Sequence, residues 1–166
     1  MIYELLFGIL PLLTSAASGG GGVASQLAPD GYCYAGMPCW PSDDVGIKWA
    51  QTLTGEILLP VSPEYTNYTI MINTRVTRYP YLIVMAETVD DVIKTVKFAT
   101  EHHVRLTVRS SGHDYIGRST ADGSIQINLF RMKGLNIQLN STRHADGIVV
   151  AQSGNSWIRV YEEVKQ

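Results

Sequence analysis

The sequence predicts an α+β domain that opens with an α/β-like strand–helix–strand unit, and three observations carry that reading. Residues 81–85 form a short, nearly continuous apolar run, as in a strand covered on both faces. Val89, Val92, Ile93, Val96 and Ala99 then recur at helical spacing. Val104, Leu106 and Val108 alternate with Arg105, Thr107 and Arg109, which is the period of a strand. A strand, a helix and a strand with short connections make a βαβ unit, whose two strands run parallel.

The elements follow in order. Pro41-Ser42-Asp43-Asp44, followed by Ile47, Trp49, Ala50 and Leu53, has the form of a capped helix start, ended by Gly55. Ile57-Leu58-Leu59 is a short strand. In the βαβ unit, Thr88 caps the helix, and Asp90 and Asp91 sit in its first turn, where the helix dipole favours anions. His102 and His103 close that helix. Asp122-Gly123 marks a turn. Residues 124–129 read as a strand with Ile125, Ile127 and Leu129 on one face. Residues 134–139 and 147–151 give two more strands, and residues 157–164 begin another helix.

The chain has 166 residues, 45% of them hydrophobic and 17% charged, enough for one domain with one core. Thirteen basic against 15 acidic side chains, with no Lys/Arg run, argue against nucleic acid as a partner. Residues 5–13 are a short apolar run followed by Thr14-Ser15-Ala16-Ala17-Ser18, the shape of a secretory signal peptide, although Glu4 stands where a basic residue is usual. The run is too short to span a bilayer comfortably. The only two cysteines, Cys33 and Cys39, read as a disulfide closing a small loop, because a zinc site would need further ligands and none lies nearby. Asn67-Tyr68-Thr69 and Asn140-Ser141-Thr142 are glycosylation sequons. The expected organisation is a signal peptide over residues 1–17, a linker over 18–30, a disulfide-bearing leader over 31–75 and the domain proper over 76–166. The protein is then expected to be secreted and free of the membrane once the signal is cleaved.

The chemistry concentrates in Ser110-Ser111-Gly112-His113-Asp114-Tyr115-Ile116-Gly117-Arg118-Ser119, which leaves the carboxyl end of the second strand, where α/β sheets bind ligands. Two hydroxyls, a glycine that lets a ligand approach the backbone, and Arg109 just before them suit an anion such as a pyrophosphate. The loop is neither a Walker loop, since no Gly-Lys-Ser/Thr follows, nor the Rossmann fingerprint, whose glycine spacing is absent. Taken alone, His113 reads as a loop histidine making hydrogen bonds, the serines as ordinary turn residues and Arg109 as a solvated strand end.

Residues 80–135 resemble the FAD-binding domain of the vanillyl-alcohol oxidase / p-cresol methylhydroxylase family, and within it the berberine bridge enzyme-like oxidases. The resemblance rests on Pro80, Val89-Asp90-Asp91-Val92, Phe98-Ala99, the loop from Val108 to Tyr115, Gly117-Arg118-Ser119 and Met132-Lys133. Cys33 and Pro38-Cys39-Trp40-Pro41-Ser42 resemble the leader of secreted members. The chain is thereby expected to be the N-terminal subdomain, incomplete, of a PCMH-type FAD-binding domain. The resemblance implies that His113 bonds covalently to the 8α carbon of the flavin, for which a neutral imidazole near neutral pH is a suitable nucleophile. It also implies that Arg109, Ser110, Ser111, Gly112 and Asp114 wrap the pyrophosphate while Ser119 closes the loop. Gly154 lies where the family often has a glycine near the flavin.

Members of that family are much longer: a glycine-rich segment completes their FAD domain and a substrate domain follows. The sequence therefore reads as an N-terminal fragment, in which no catalytic base can be named, no metal site is expected and the substrate is not legible. Two functional readings stand. One is the FAD-anchoring portion of a secreted oxidase that oxidises a small organic substrate and passes electrons to O₂. The other is a truncated, non-catalytic secreted remnant acting as a binding module or without activity.

Overall fold

The computed structural model describes residues 27–165, and the expected signal peptide lies outside the described residues. The predicted unit forms as β2 (Leu82–Met85), α3 (Val89–Glu101) and β3 (Leu106–Arg109). The next strand, β4 (Ile125–Asn128), inserts between β2 and β3 and pairs parallel with both, so that Val84 and Val108 flank Ile127. The two strands of the unit are thus parallel through β4 and not as direct neighbours. A short strand from the leader, β1 (Glu56–Leu58), adds antiparallel to β2 and gives the order β1-β2-β4-β3.

The two faces of this sheet differ in chemistry. On one face Leu82, Val84 and Ile125 pack with Phe98, Ala99 and Val104 and with Trp49 of α1 (Asp43–Ala50). Trp49 stacks on Phe98 with ring centroids 4.2 Å apart. On the other face Ile83, Met85 and Leu58 meet Tyr65 of a short helix, α2 (Tyr65–Thr69), whose hydroxyl donates to the carbonyl of Pro80 at 2.5 Å. There β4 presents Gln126 and Asn128, with Ser124 just before it, all essentially fully buried. Burying such a row without loss requires that its polar atoms find partners.

Several local expectations are corrected. Ser42 occupies the cap position of α1 but its side chain makes no cap hydrogen bond, and the helix ends at Ala50 with Gln51 as its C-cap, before Gly55. Gly55 instead lets two segments touch: a Cβ there would lie 2.2 Å from the Met85 carbonyl oxygen. In α3, Val89, Ile93 and Val96 are exposed while Asp91, Thr95, Phe98 and Ala99 are buried. Asp91 can be buried because its carboxylate accepts the backbone N–H groups of Thr54, Glu87 and Thr88 at 2.7–3.0 Å. Together with Thr88 it completes a reciprocal capping box. In β3, Val108 is exposed and Thr107 is buried, its hydroxyl 3.3 Å from that of Ser124. This follows from β3 being the outer strand of the sheet.

His102 is the C-cap of α3, and His103 follows in the left-handed region at φ 54°. Residues 134–139 and 147–151 become an antiparallel hairpin, β5 (Leu135–Gln138) with β6 (Ile148–Ala151), and α4 (Trp157–Val164) follows. Helix α2 and a 3-10 turn at Thr74–Val76 have no counterpart in the sequence reading. Cys33 and Cys39 are joined as a disulfide. Cys33 is fully buried beside Val104, and its N–H donates to the His103 carbonyl at 2.9 Å, so the leader runs alongside the entrance to β3.

Two outcomes follow from this packing. Gly55→Ala should destabilise the fold by about 1–3 kcal/mol, since the added methyl meets backbone and cannot be accommodated by a rotamer change; chemical denaturation of the variant checks it. Peptide mapping without reduction should recover Cys33 linked to Cys39, whereas alkylation of both thiols before reduction would contradict the pairing.

Candidate functional site

Neighbouring parallel strands need a crossover connection, and between β3 and β4 that connection is the loop over residues 110–124. It contains no helix or strand of its own, so side chains must hold its shape. Asp114 does most of this. Its buried carboxylate accepts the N–H of Ile116 at 3.1 Å, the N–H of Ser119 at 2.7 Å and the Ser119 hydroxyl at 3.0 Å, with the Arg118 guanidinium 3.7 Å away. Burial alone would raise the pKa of Asp114, but these donors and Arg118 outweigh it and hold the group down to about 2. The polar row of β4 supports the loop from below, because Gln126 donates to the Ser119 carbonyl at 3.3 Å. Asn73 donates to the Tyr115 carbonyl, which ties the leader to the loop's outer side, and Thr120 donates to the Arg78 carbonyl.

At the tip, Gly112 is buried and adopts φ +84°, a conformation that L side chains rarely tolerate. Among the described residues, the backbone N–H groups of Ser111, Gly112 and His113 donate to no protein acceptor. Ser110, Ser111 and His113 line a cleft of about 950 Å³ together with Val149, Ala151 and Trp157. The Ser110 hydroxyl donates to the Ser153 carbonyl and so joins the loop to the turn between β6 and α4. The His113 ring meets Tyr115 edge-on at 5.0 Å, and among the described residues neither of its ring nitrogens is hydrogen-bonded.

The structure therefore brings Ser110, Ser111 and His113 together on the cleft, with the Gly112 backbone between them. Asp114 and Ser119 bond to each other and shape the loop from within. Arg109 points elsewhere: its guanidinium donates to the carbonyls of Tyr68 and Ile70 in the leader. Gly154 is pressed against three carbonyl oxygens, of which Leu129 would lie 2.2 Å from an added Cβ. Asn67 and Asn140 are exposed. The sequence reading missed Gln126 and Asn128, whose signal was polar residues at alternate positions of an otherwise apolar strand. It also missed Ser153, which only tertiary structure brings to the loop. Among the described residues no group of three His, Cys, Asp or Glu could hold a metal ion.

A crossover loop with unused N–H groups, a positive-φ glycine and two hydroxyls beside a cleft is an arrangement suited to an anion in an α+β unit. The FAD binding domain family matches residues 80–166, more than half of the chain, and the protein belongs to that family, with FAD as its cofactor. A flavin-dependent oxygenase of Aspergillus ustus is 45% identical over 58 residues, covering 35% of this chain and 11% of that protein. An FAD-linked oxidoreductase of Claviceps fusiformis is 31% identical over 86 residues, covering 48% of this chain and 15% of that protein. The matched region is thus a small part of the length of these curated relatives. A VAO-type flavoprotein of Myceliophthora thermophila has the same fold, with a TM-score of 0.66 at 18% identity over 81% of this chain and 33% of that one.

The state of Asp114 gives a pH dependence with a definite sign. Its folded pKa of about 2 lies below the unfolded value of roughly 3.9. The stability it contributes is therefore present above pH ~4 and lost as pH falls toward ~2. Acid titration of the loop's order, followed by NMR of the Ser119 amide, should show this loss in the wild type and not in Asp114→Asn.

Proposed function

We propose that the protein is the FAD-anchoring part of a secreted oxidoreductase that oxidises a small organic substrate, with O₂ as the electron acceptor. The observation that carries the reading is the cleft wall of Ser110, Ser111 and His113 around Gly112, within the segment that matches the FAD binding domain family. The names of the relatives, a flavin-dependent oxygenase and an FAD-linked oxidoreductase, support redox chemistry at this site. When bound, FAD supplies the acceptor for a hydride equivalent from a substrate carbon.

The chain's own residues do the holding. The N–H groups of Ser111, Gly112 and His113 and the Ser111 hydroxyl would bind the diphosphate, while Asp114 keeps the backbone in register for it. The imidazole of His113, exposed on the cleft and without a protein hydrogen-bond partner among the described residues, is the group that would bond the flavin's 8α carbon: the C–H and N–H bonds would each give up a proton, and the two electrons released would pass to O₂, which takes up both protons as peroxide. Asp114 does not contact that ring in the way a carboxylate orients a general base. Its oxygens accept from Ile116 and Ser119, and no hydrogen bond joins it to the imidazole. Secretion is supported by the Cys33–Cys39 disulfide, which persists in oxidising compartments, and by the exposure of Asn67 and Asn140 in their sequons.

The test is retention of flavin. After acid precipitation of the protein produced with FAD, yellow colour should remain with the pellet, and tryptic mapping should place the flavin on the peptide of residues 110–118. His113→Ala should abolish that bond and leave FAD bound reversibly, because the backbone donors are untouched. Release of all flavin from the wild type on denaturation would refute the covalent role of His113. Failure to bind flavin at all would refute the whole reading.

A further inference from the structure

Arg109 is the residue whose position departs most from what the loop alone suggests. It ends β3 immediately before the cofactor loop, and it is half-buried. Its Nη1 donates to the Tyr68 carbonyl at 2.6 Å and lies 3.7 Å from the Met71 sulfur, and its Nη2 donates to the Ile70 carbonyl at 3.2 Å. These acceptors all come from the leader, some 40 residues earlier in the chain. None is a carboxylate, and among the described residues Arg109 has no ion-pair partner. Its basicity is lowered by burial, with no acid nearby to offset the loss.

The same guanidinium lies directly beneath the loop tip. A Cβ built on Gly112 would meet Arg109 first, at 2.6 Å from Nη2, 2.8 Å from Nε and 3.0 Å from Cζ. The planar cation is thus clamped from one side by two leader carbonyls and abuts the αL glycine on the other. A planar fork with several donors can make both contacts at once. A lysine ammonium is a single point of charge and cannot.

Building on the FAD-binding reading, we infer that Arg109 is a positioning residue: the leader carbonyls of Tyr68 and Ile70 fix its guanidinium as a floor under Gly112, and that floor holds the N–H groups of residues 111–113 in place for the diphosphate. The leader is then part of the cofactor site although none of its side chains lines the cleft. Arg109 acts on the ligand through the loop and through its uncompensated charge, without being one of its hydrogen-bond donors.

The experiment uses the full chain with ADP as probe, which carries the diphosphate without the flavin, and compares wild type with Arg109→Lys, Arg109→Ala, Gly112→Ala and the double variant Arg109→Ala/Gly112→Ala. Amide hydrogen exchange and ADP affinity are both read. Arg109→Lys keeps the charge and loses the fork. It should speed exchange at the loop amides of Ile116 and Ser119, which are hydrogen-bonded to Asp114, by about tenfold while β2 and β4 keep their protection, and weaken ADP by a similar factor. A lysine variant with wild-type exchange and affinity would overturn the inference, since charge alone would then suffice. Uniformly faster exchange across the sheet would overturn it as well, because that marks a general stability role. The cost of Gly112→Ala should shrink when Arg109 is already absent, since the nearest atoms to the new methyl are then gone; strictly additive effects would contradict the floor. If the wild type binds neither ADP nor FAD, the function proposed above falls, while the exchange data still decide the role of Arg109.

Discussion

Two parallel strands that lie side by side cannot be joined by a tight turn, and the rest of this structure depends on how β3 and β4 meet that constraint. A helix makes the usual return journey between such strands. Here the return is made by residues 110–124, a loop with no regular structure, which must therefore be stabilised residue by residue. Asp114 gathers three donors inside it, Gln126 props its far end from the buried face of β4, and Arg109 lies under its tip. The polar character of β4's second face, which would otherwise be costly to bury, is explained by this role: it is the bed on which the loop rests. The cleft is then a consequence of the loop standing clear of the sheet next to the turn that contains Ser153.

The leader is bound into this arrangement more closely than its place ahead of the domain suggests. It supplies a strand at one side of the sheet, Cys33 beside Val104 at the other, Trp49 to one core and Tyr65 to the second. The hydrogen bond from Thr54 to Asp91 and the two from Arg109 to Tyr68 and Ile70 are the polar counterparts of those contacts. A division at residue 76 separates two stretches of sequence whose side chains build common cores.

What could be read from the sequence was what local periodicity and turn chemistry encode. The apolar run of β2, the cap Thr88 with acidic residues in the first turn of α3, the strands β5 and β6 and the extent of α4 all follow from patterns a few residues long. So does the loop that carries His113, because its glycine and hydroxyl content is local. The insertion of β4 between β2 and β3 was not legible, since strand order is decided by side chains far apart in the chain. Helix α2 was missed because Tyr65, Thr66, Tyr68 and Thr69 have little helical preference, and it is held by the contact of Tyr65 with Pro80. The direction of Arg109 was missed for the same reason: its partners are backbone carbonyls, and no sequence pattern announces those.

The position of β4 also sets a schedule for synthesis. Strands β2 and β3 make no hydrogen bonds to each other, and β4, which bridges them, comes last of the three. On the ribosome the earlier strands have no partner across the gap until residue 128 has emerged, and the closing contacts are long-range ones that form slowly. Residues 110–119 leave the exit tunnel before the bed beneath them exists. The histidine is therefore made early and framed late, so that any modification requiring its folded surroundings belongs after this part of the chain has been completed.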